Sequence, residues 1–241
     1  MVCEKHGEYP TQTIRILGKE ITLACPECIK EREEKEKAEH QQFLKDKANE
    51  KLRKQGIEPE YFDKTLNDYV PENASEKKAL DSCIAMVQGK IKKLLLLGNN
   101  GCGKTHLANA LVRSLDGVRI TMYEFSAQIR QGYQNGTCEL DILNKLLEYP
   151  LIVIDEVGRT KGSEAEFNWL SYLVDKAHTR GIRLVMVSNK LQAQSLPADK
   201  KMNAIEFFLP NDVISRLRQD SIIVEINGRD RRANRTTPAA I

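Results

Sequence analysis

Gly98, Gly103, Lys104 and Thr105 fit the spacing G-x-x-x-x-G-K-[ST] within the stretch LLLLGNNGCGKTHLA. Glycines in such a loop let backbone N–H groups converge on phosphate oxygens at a helix N-terminus. A lysine then reaches the β- and γ-phosphates, and a hydroxyl is offered to Mg²⁺. The flanks agree, since the apolar LLLL before the loop reads as a strand and THLANALVRSL after it as a helix. The expected nucleotide-binding set is Gly98, Asn99, Asn100, Gly101, Cys102, Gly103, Lys104, Thr105 and His106. Cys102 sits inside the loop and reads as a tolerated variable position, the alternative being a thiol activated by the helix N-terminus.

A hydrolytic site also needs a group to orient the metal and a group to prepare water. LIVIDE, at 151–156, is an apolar strand ending in two acids. Asp155 is expected to orient Mg²⁺ through its water shell, beside Thr105, and Glu156 to act as general base. Glu156 argues against a small-molecule kinase, whose acceptor hydroxyl needs no water-activating residue there. The strand RLVMVSN ends in Ser188 and Asn189, and Asn189 is expected between the acids and the γ-phosphate, against its reading as a plain turn residue.

A second chemistry lies at the N-terminus. Cys3 and His6 form C-x-x-H, and Cys25 and Cys28 form C-x-x-C. Between them, TQTIRILGKEITLA alternates apolar and polar residues on either side of Gly18, as two short strands joined by a turn do. Two such knuckles bring three thiolates and one imidazole into the tetrahedron that Zn²⁺ prefers, replacing a core that so short a segment cannot build. The alternative is two unrelated pairs.

These residues need elements to hold them. The 241 residues suffice for one α/β domain and a small module. Basic residues number 37 and acidic 34, a net charge of +3, so affinity for polyanions must come from local patches. No apolar run is long enough to span a bilayer and MVCEKHGEYP lacks a secretion signal's apolar centre, so a cytoplasmic protein without membrane partners is expected, its six cysteines reduced. The segment KEREEKEKAEHQQFLKDKANEKLRK is dense in charge and lacks Gly and Pro, as a solvated helix would be, with Leu44, Ala48 and Leu52 on one stripe. GIEPEYFDKTLNDYVPEN breaks that pattern and marks a boundary near Gly56. Beyond it KKLLLLG, GVRITMY, PLIVIDE, IRLVMVSN and SIIVEI alternate with helical stretches. This predicts an α/β fold with a mostly parallel sheet wrapped by helices. The expected organisation is a zinc ribbon at 1–29, a charged helical linker at 30–56 and a nucleotide-binding domain at 57–241.

GNNGCGKTHLANAL, LIVIDEVG, LVMVSN and VISRLRQ, in that order, resemble the AAA+ P-loop ATPases, and among them the DnaC and IstB type of helicase-loader and transposition-helper proteins. The resemblance runs from about Gly56 to the C-terminal region. It implies ATP hydrolysis at sites completed between subunits, with Arg216 of one protomer reaching the γ-phosphate held by the next. Such head-to-tail contacts build a homo-oligomeric ring or open helix. A sensor arginine is expected near the end, where Arg231 and Arg232 are candidates. Zinc-bearing N-termini are similar to those of some phage and prophage relatives. The implied function is ATP-dependent loading of a DnaB-type replicative helicase onto single-stranded DNA, the N-terminal module gripping the helicase. The alternatives are a transposition helper acting on duplex target DNA and a non-enzymatic zinc adaptor with nucleotide as a structural ligand. Lys161, Arg180, Arg183, Tyr123, Phe125 and Tyr133 are candidate DNA contacts.

Overall fold

The computed structural model describes residues 1–10, 13–16, 19–22, 24–159, 163–209 and 211–231. The chain divides into two compact units, Met1–Lys51 and Leu52–Ile241.

In the first unit, β1 (Val2–Cys3) pairs antiparallel with β2 (Gly7–Glu8), and β3 (Thr13–Ile16) with β4 (Lys19–Thr22). Thr13 faces Thr22 and Ile16 faces Lys19, so the alternating segment closes as the hairpin expected of it, and the turn at Gly18 lies outside the described residues. Helix α1 spans Pro26–Lys54, taking Cys28 into its first turn and leaving Cys25 just before it. Pro26 suits that start, because its fixed φ is helical and its missing N–H would be unpaired there anyway. No residue of α1 is buried: Leu44 and Phe43 are exposed, and charged neighbours such as Arg32 and Glu36 pair along its surface.

The second unit is built on five parallel strands. Helix α2 (Ala74–Val87) precedes β5 (Lys93–Gly98), α3 (Lys104–Leu115), β6 (Val118–Thr121), α4 (Met122–Gln134), α5 (Glu139–Leu146), β7 (Leu151–Asp155), α6 (Glu164–Arg180), β8 (Arg183–Ser188), α7 (Asn211–Asp220) and β9 (Ser221–Ile226). The sheet order is β6-β7-β8-β5-β9. All five expected strands are present, and GVRITMY turns helical after Thr121, whose hydroxyl caps α4 in a reciprocal box with Glu124.

Continuous apolar runs make these strands because both sheet faces are covered. Leu95, Leu97, Ile152, Ile154, Leu184 and Met186 face one core with Phe125, Leu143, Leu170 and Val213 from α4 to α7. Leu94, Leu96, Leu151, Val153, Val185 and Val187, the alternate residues, face the other with Met86 of α2 and Leu107 and Leu111 of α3. Since the strands are parallel, all their carboxyl ends open on one edge, where open α/β sheets bind ligands.

Candidate nucleotide site and metal centre

At that edge the loop after β5, the acids after β7 and the residues after β8 converge. β8 lies between β5 and β7, so whatever follows Ser188 stands between the phosphate loop and the acid pair. A cavity of about 670 Å³ results, lined by Asn100, Gly101, Gly103, Lys104, Thr105, His106, Asp155, Glu156, Ser188 and Asn189 from the expected set and its neighbours. Glu60, Tyr61, Tyr69, Arg159 and Arg231 complete the lining.

The loop is held from below. Gly103 has φ +92°, and a Cβ there would meet the Tyr69 ring at 2.6 Å, so position 103 needs glycine on both counts. The Tyr69 hydroxyl donates to the Cys102 carbonyl at 3.1 Å. Burial first, then the Glu76 carboxylate, raises the pKa of that phenol and keeps it a donor. Cys102 itself is a core residue: its thiol is fully buried beneath the loop and does not line the cavity. The Lys104 ammonium donates to the Gly98 and Asn99 carbonyls at 2.9 and 2.6 Å, so these two loop residues hold the lysine instead of facing the cavity. The His106 Nε2–H donates to the Thr65 carbonyl at 2.9 Å, and the ring stands edge-on to Tyr69 at 5.6 Å.

Asp155 is buried and saturated with partners. Its Oδ1 accepts from the Glu156 backbone N–H at 2.7 Å. Its Oδ2 accepts from Thr105 Oγ1 at 3.4 Å and from Arg119 Nε at 3.0 Å, the guanidinium Nη2 lying at 2.9 Å. Burial opposes the Arg119 charge and the adjacent Asp155 outweighs it, so the guanidinium pKa rises. Glu156 stands at φ +59°, a strained region for a side-chain-bearing residue, with its carboxylate ion-paired to the exposed Arg159. The set of one buried carboxylate, one hydroxyl and one adjacent acid suits a hydrated Mg²⁺.

Arg216 does not line this cavity. It projects from α7 to an ion pair with Asp175 of α6, about two-fifths exposed. Arg231 does line it: the guanidinium pairs with the fully buried Glu76, donates to the Val70 carbonyl at 2.8 Å and lies over the Tyr69 ring, while its backbone N–H donates to the Gly101 carbonyl at 3.1 Å. Arg232 and Lys161 lie outside the described residues. Arg183 begins β8 and Arg180 precedes it, so strand direction places them at the far end from Ser188, about 16 Å away at 3.3 Å per residue. They are not near the active edge, contrary to expectation. Phe125 is a core residue, edge-on to Trp169 at 5.9 Å, whereas Tyr123 and Tyr133 are exposed on α4.

Tyr61, Tyr69 and Arg119 are among the residues that sequence reasoning missed, as are Glu60 and Arg159 of the lining. The two tyrosines sit in a segment read only as a boundary, and their position, in an aromatic stretch between two prolines before a phosphate loop, was the available signal. Arg119 carried none, being one polar residue in a strand.

In the N-terminal unit the ligand atoms of Cys3, His6, Cys25 and Cys28 all lie within 4.8 Å of one another. His6 Nδ1 is 3.3 Å from Cys28 Sγ, 3.7 Å from Cys25 Sγ and 3.8 Å from Cys3 Sγ, and the Cys3 and Cys28 sulfurs are 3.5 Å apart. Tetrahedral bond lengths require about 3.5 Å between sulfur and nitrogen and about 3.8 Å between sulfurs. His6 Nε2 points to Glu31 at 3.1 Å, an orienting carboxylate of the sort that fixes the tautomer of a metal-bound imidazole. Backbone N–H groups of Lys5 and His6 lower the Cys3 thiol to about 6, and the bond to Cys3 pushes Cys28 up to about 11. One thiolate therefore suppresses the next, a conflict that a shared dication removes. Among the described residues no helix is long and apolar enough to cross a membrane.

Comparison with known proteins extends these observations. The Escherichia coli K12 replicative helicase loader DnaC is 26% identical over 195 residues, covering 76% of this chain and 79% of DnaC. The uncharacterized protein YdaV of the same strain is 25% identical over 153 residues, covering 60% of this chain and 61% of its own. A crystal structure of the DnaC helicase loader superposes with a TM-score of 0.60 at 22% identity, over 70% of this chain and 99% of that one. A structure of DnaI reaches 0.54 at 19% identity, over 73% and 94%. The Aquifex aeolicus DnaA bound to AMPPCP reaches 0.58 at 17% identity, over 70% and 50%. The sequence profile of the IstB-like ATP binding proteins matches residues 32–239, and with most of the chain inside that match, the protein belongs to the IstB-like ATP binding family.

Proposed function

We propose that this protein is an ATP-hydrolysing helicase loader that places a DnaB-type replicative helicase on single-stranded DNA. The observation that carries this reading is the convergence of Lys104, Thr105, Asp155, Glu156 and Asn189 on one cavity, in a chain related to DnaC along most of both lengths.

The residues divide the work by position. Backbone N–H groups of the loop and the Lys104 ammonium bind phosphate oxygens, the ammonium exchanging the Gly98 and Asn99 carbonyls for them. Thr105 and Asp155 hold the hydrated Mg²⁺, which when bound supplies charge neutralisation of the phosphates. Glu156 takes the proton of the attacking water, and Asn189 orients the γ-phosphate from the neighbouring strand end. Arg216, outside its own cavity and solvent-accessible on α7, suits a contact with the next subunit's site in a head-to-tail assembly. Asp175 of α6 is its ion-pair partner within the subunit. Arg231, anchored by Glu76 beside the loop, suits a sensor of the nucleotide in its own subunit. Tyr123 and Tyr133 on α4 offer exposed rings for base stacking.

The cluster of Cys3, His6, Cys25 and Cys28 holds one structural Zn²⁺ in the ribbon of residues 1–29, and that module together with the linker grips the helicase. The experiment that tests the whole reading is copurification from the native cell followed by helicase loading on circular single-stranded DNA. Capture of a replicative helicase, whose loading depends on this protein and ATP, is expected. Capture of a transposase instead, with assembly on duplex DNA, refutes it.

A further inference from the structure

The connector between α1 and the 3₁₀ turn Pro59–Tyr61 lies along the outer edge of the sheet. The Arg119 backbone N–H donates to the Gln55 carbonyl at 2.8 Å, and the buried Gln55 amide donates to Asp116 Oδ1 at 2.6 Å. Gly56 has φ +78°, and a Cβ there would stand 1.9 Å from the Arg119 carbonyl oxygen. The connector is therefore pressed onto β6 at a separation that only glycine allows.

The residue whose backbone receives the connector sends its side chain to the metal-orienting acid. Arg119 binds Asp155 Oδ2 through Nε and Nη2, while Nη1 donates to the Gly56 carbonyl at 3.2 Å and to Glu58 Oε1 at 3.4 Å. Both members of the central pair are almost wholly buried, with side chains 6% and 4% exposed. One planar guanidinium thus spans the acid and the connector, a geometry that a single ammonium cannot reproduce.

Asp155 Oδ2 is also the oxygen facing Thr105. A divalent cation held through these two residues brings a second positive charge to a carboxylate already shared with a guanidinium, where burial leaves charges poorly screened. The guanidinium then loses part of its hold on Oδ2, and the partners left to it are Gly56 O and Glu58.

We infer that Arg119 is a positioning residue that transmits engagement of the metal at Asp155 to the connector Gln55–Glu58, and so to the last turn of α1. This rests on the reading of Asp155 as the acid that orients Mg²⁺. Linkage makes the coupling reciprocal: whatever strains the connector changes metal affinity at Asp155.

Amide hydrogen exchange on the full chain tests it, comparing apo protein, a non-hydrolysable ATP analogue in EDTA, and the same analogue with Mg²⁺. In the wild type, exchange across 98–106 slows with the analogue, and exchange at Gly56 and Ile57, whose N–H groups bond Arg53 O and Leu52 O, changes severalfold only when Mg²⁺ is present. In Arg119→Lys, with the fold verified by circular dichroism, the loop still responds and the connector does not. Arg119→Met gives the same result if it folds, and Arg119→Lys decides alone if it does not. A connector response of wild-type size in Arg119→Lys overturns the inference, as does a connector that responds equally without Mg²⁺ or stays silent while the loop responds. A loop that is itself silent in the wild type overturns the nucleotide reading and the inference together.

Discussion

The backbone N–H of Glu156 donates to Oδ1 of Asp155, the residue immediately before it, at 2.7 Å. The bond closes a tight local turn in which Glu156 takes φ +59°, and it aims the second acid by means of the first. On the proposed roles, the metal-orienting group and the base are thus joined in one hydrogen-bonded turn. Asp155→Ala should remove the metal contact and also release Glu156, so hydrolysis should fall further than in Glu156→Gln, which keeps both the backbone bond and the metal group. Single-turnover hydrolysis at saturating ATP measures the two losses.

Lys104→Ala and Glu156→Gln should separate binding from chemistry. The first removes a phosphate contact and should abolish nucleotide binding in titration calorimetry. The second should bind normally and slow hydrolysis by about 10²- to 10⁴-fold, the usual contribution of a general base. Nucleotide affinity undiminished in Lys104→Ala would falsify the phosphate role.

Arg216 has a sharper test, because it lies outside its own cavity. Arg216→Ala should bind ATP and hydrolyse it poorly. Mixed with Glu156→Gln it should recover activity at interfaces where a sound base meets a sound arginine. Strictly additive rates at all mixing ratios, with coassembly demonstrated, would mean that the arginine does not act across subunits.

The metal centre should titrate with acid. Three sulfurs must lose protons to bind Zn²⁺, and before the metal arrives Cys3 lies at about 6 while Cys28 is pushed up to about 11. Protons compete with the metal increasingly as pH falls, so affinity should decline from pH 7 to 5, with zinc released to a colorimetric chelator. The native protein should carry one zinc per chain and Cys25→Ser none; metal-free native protein, freshly purified and reduced, would rule the site out.

Glu76 is fully buried, and its charged partner is Arg231, itself 28% exposed. Arg231→Ala strands the carboxylate and should destabilise the second unit by on the order of 3 kcal/mol, the low end for breaking a buried pair. Urea unfolding measures this. Arg231→Ala/Glu76→Leu should recover part of the stability while leaving the Gly101 side of the loop without its guanidinium neighbour, which separates the structural loss from any loss of nucleotide response.

What was legible in the sequence was chemistry confined to short spacings. Gly98 to Thr105, the acids after LIVI and the two cysteine-bearing pairs each suit, on the proposed reading, a ligand whose size dictates the interval, so the interval survives in the sequence. The five strands were legible for a related reason, since burial on both faces leaves unbroken apolar runs. Arg119 was not, because its meaning depends on β6 pairing with β7 and on a connector more than sixty positions earlier lying against it. Tyr69 acquires its role only by packing under Gly103. Arg180 and Arg183 were misplaced because proximity in sequence to Ser188 says nothing until the strand's direction is considered.

Helix α1 has no buried residue from Pro26 to Lys54, while Leu52 at its end is the first side chain packed against the second core. The exposed length of α1 before Leu52 therefore places no constraint on that core. On the proposed division of roles, recombination along that stretch would splice a new head onto the same ATPase without opening its core, and a change of client would need no change in the engine.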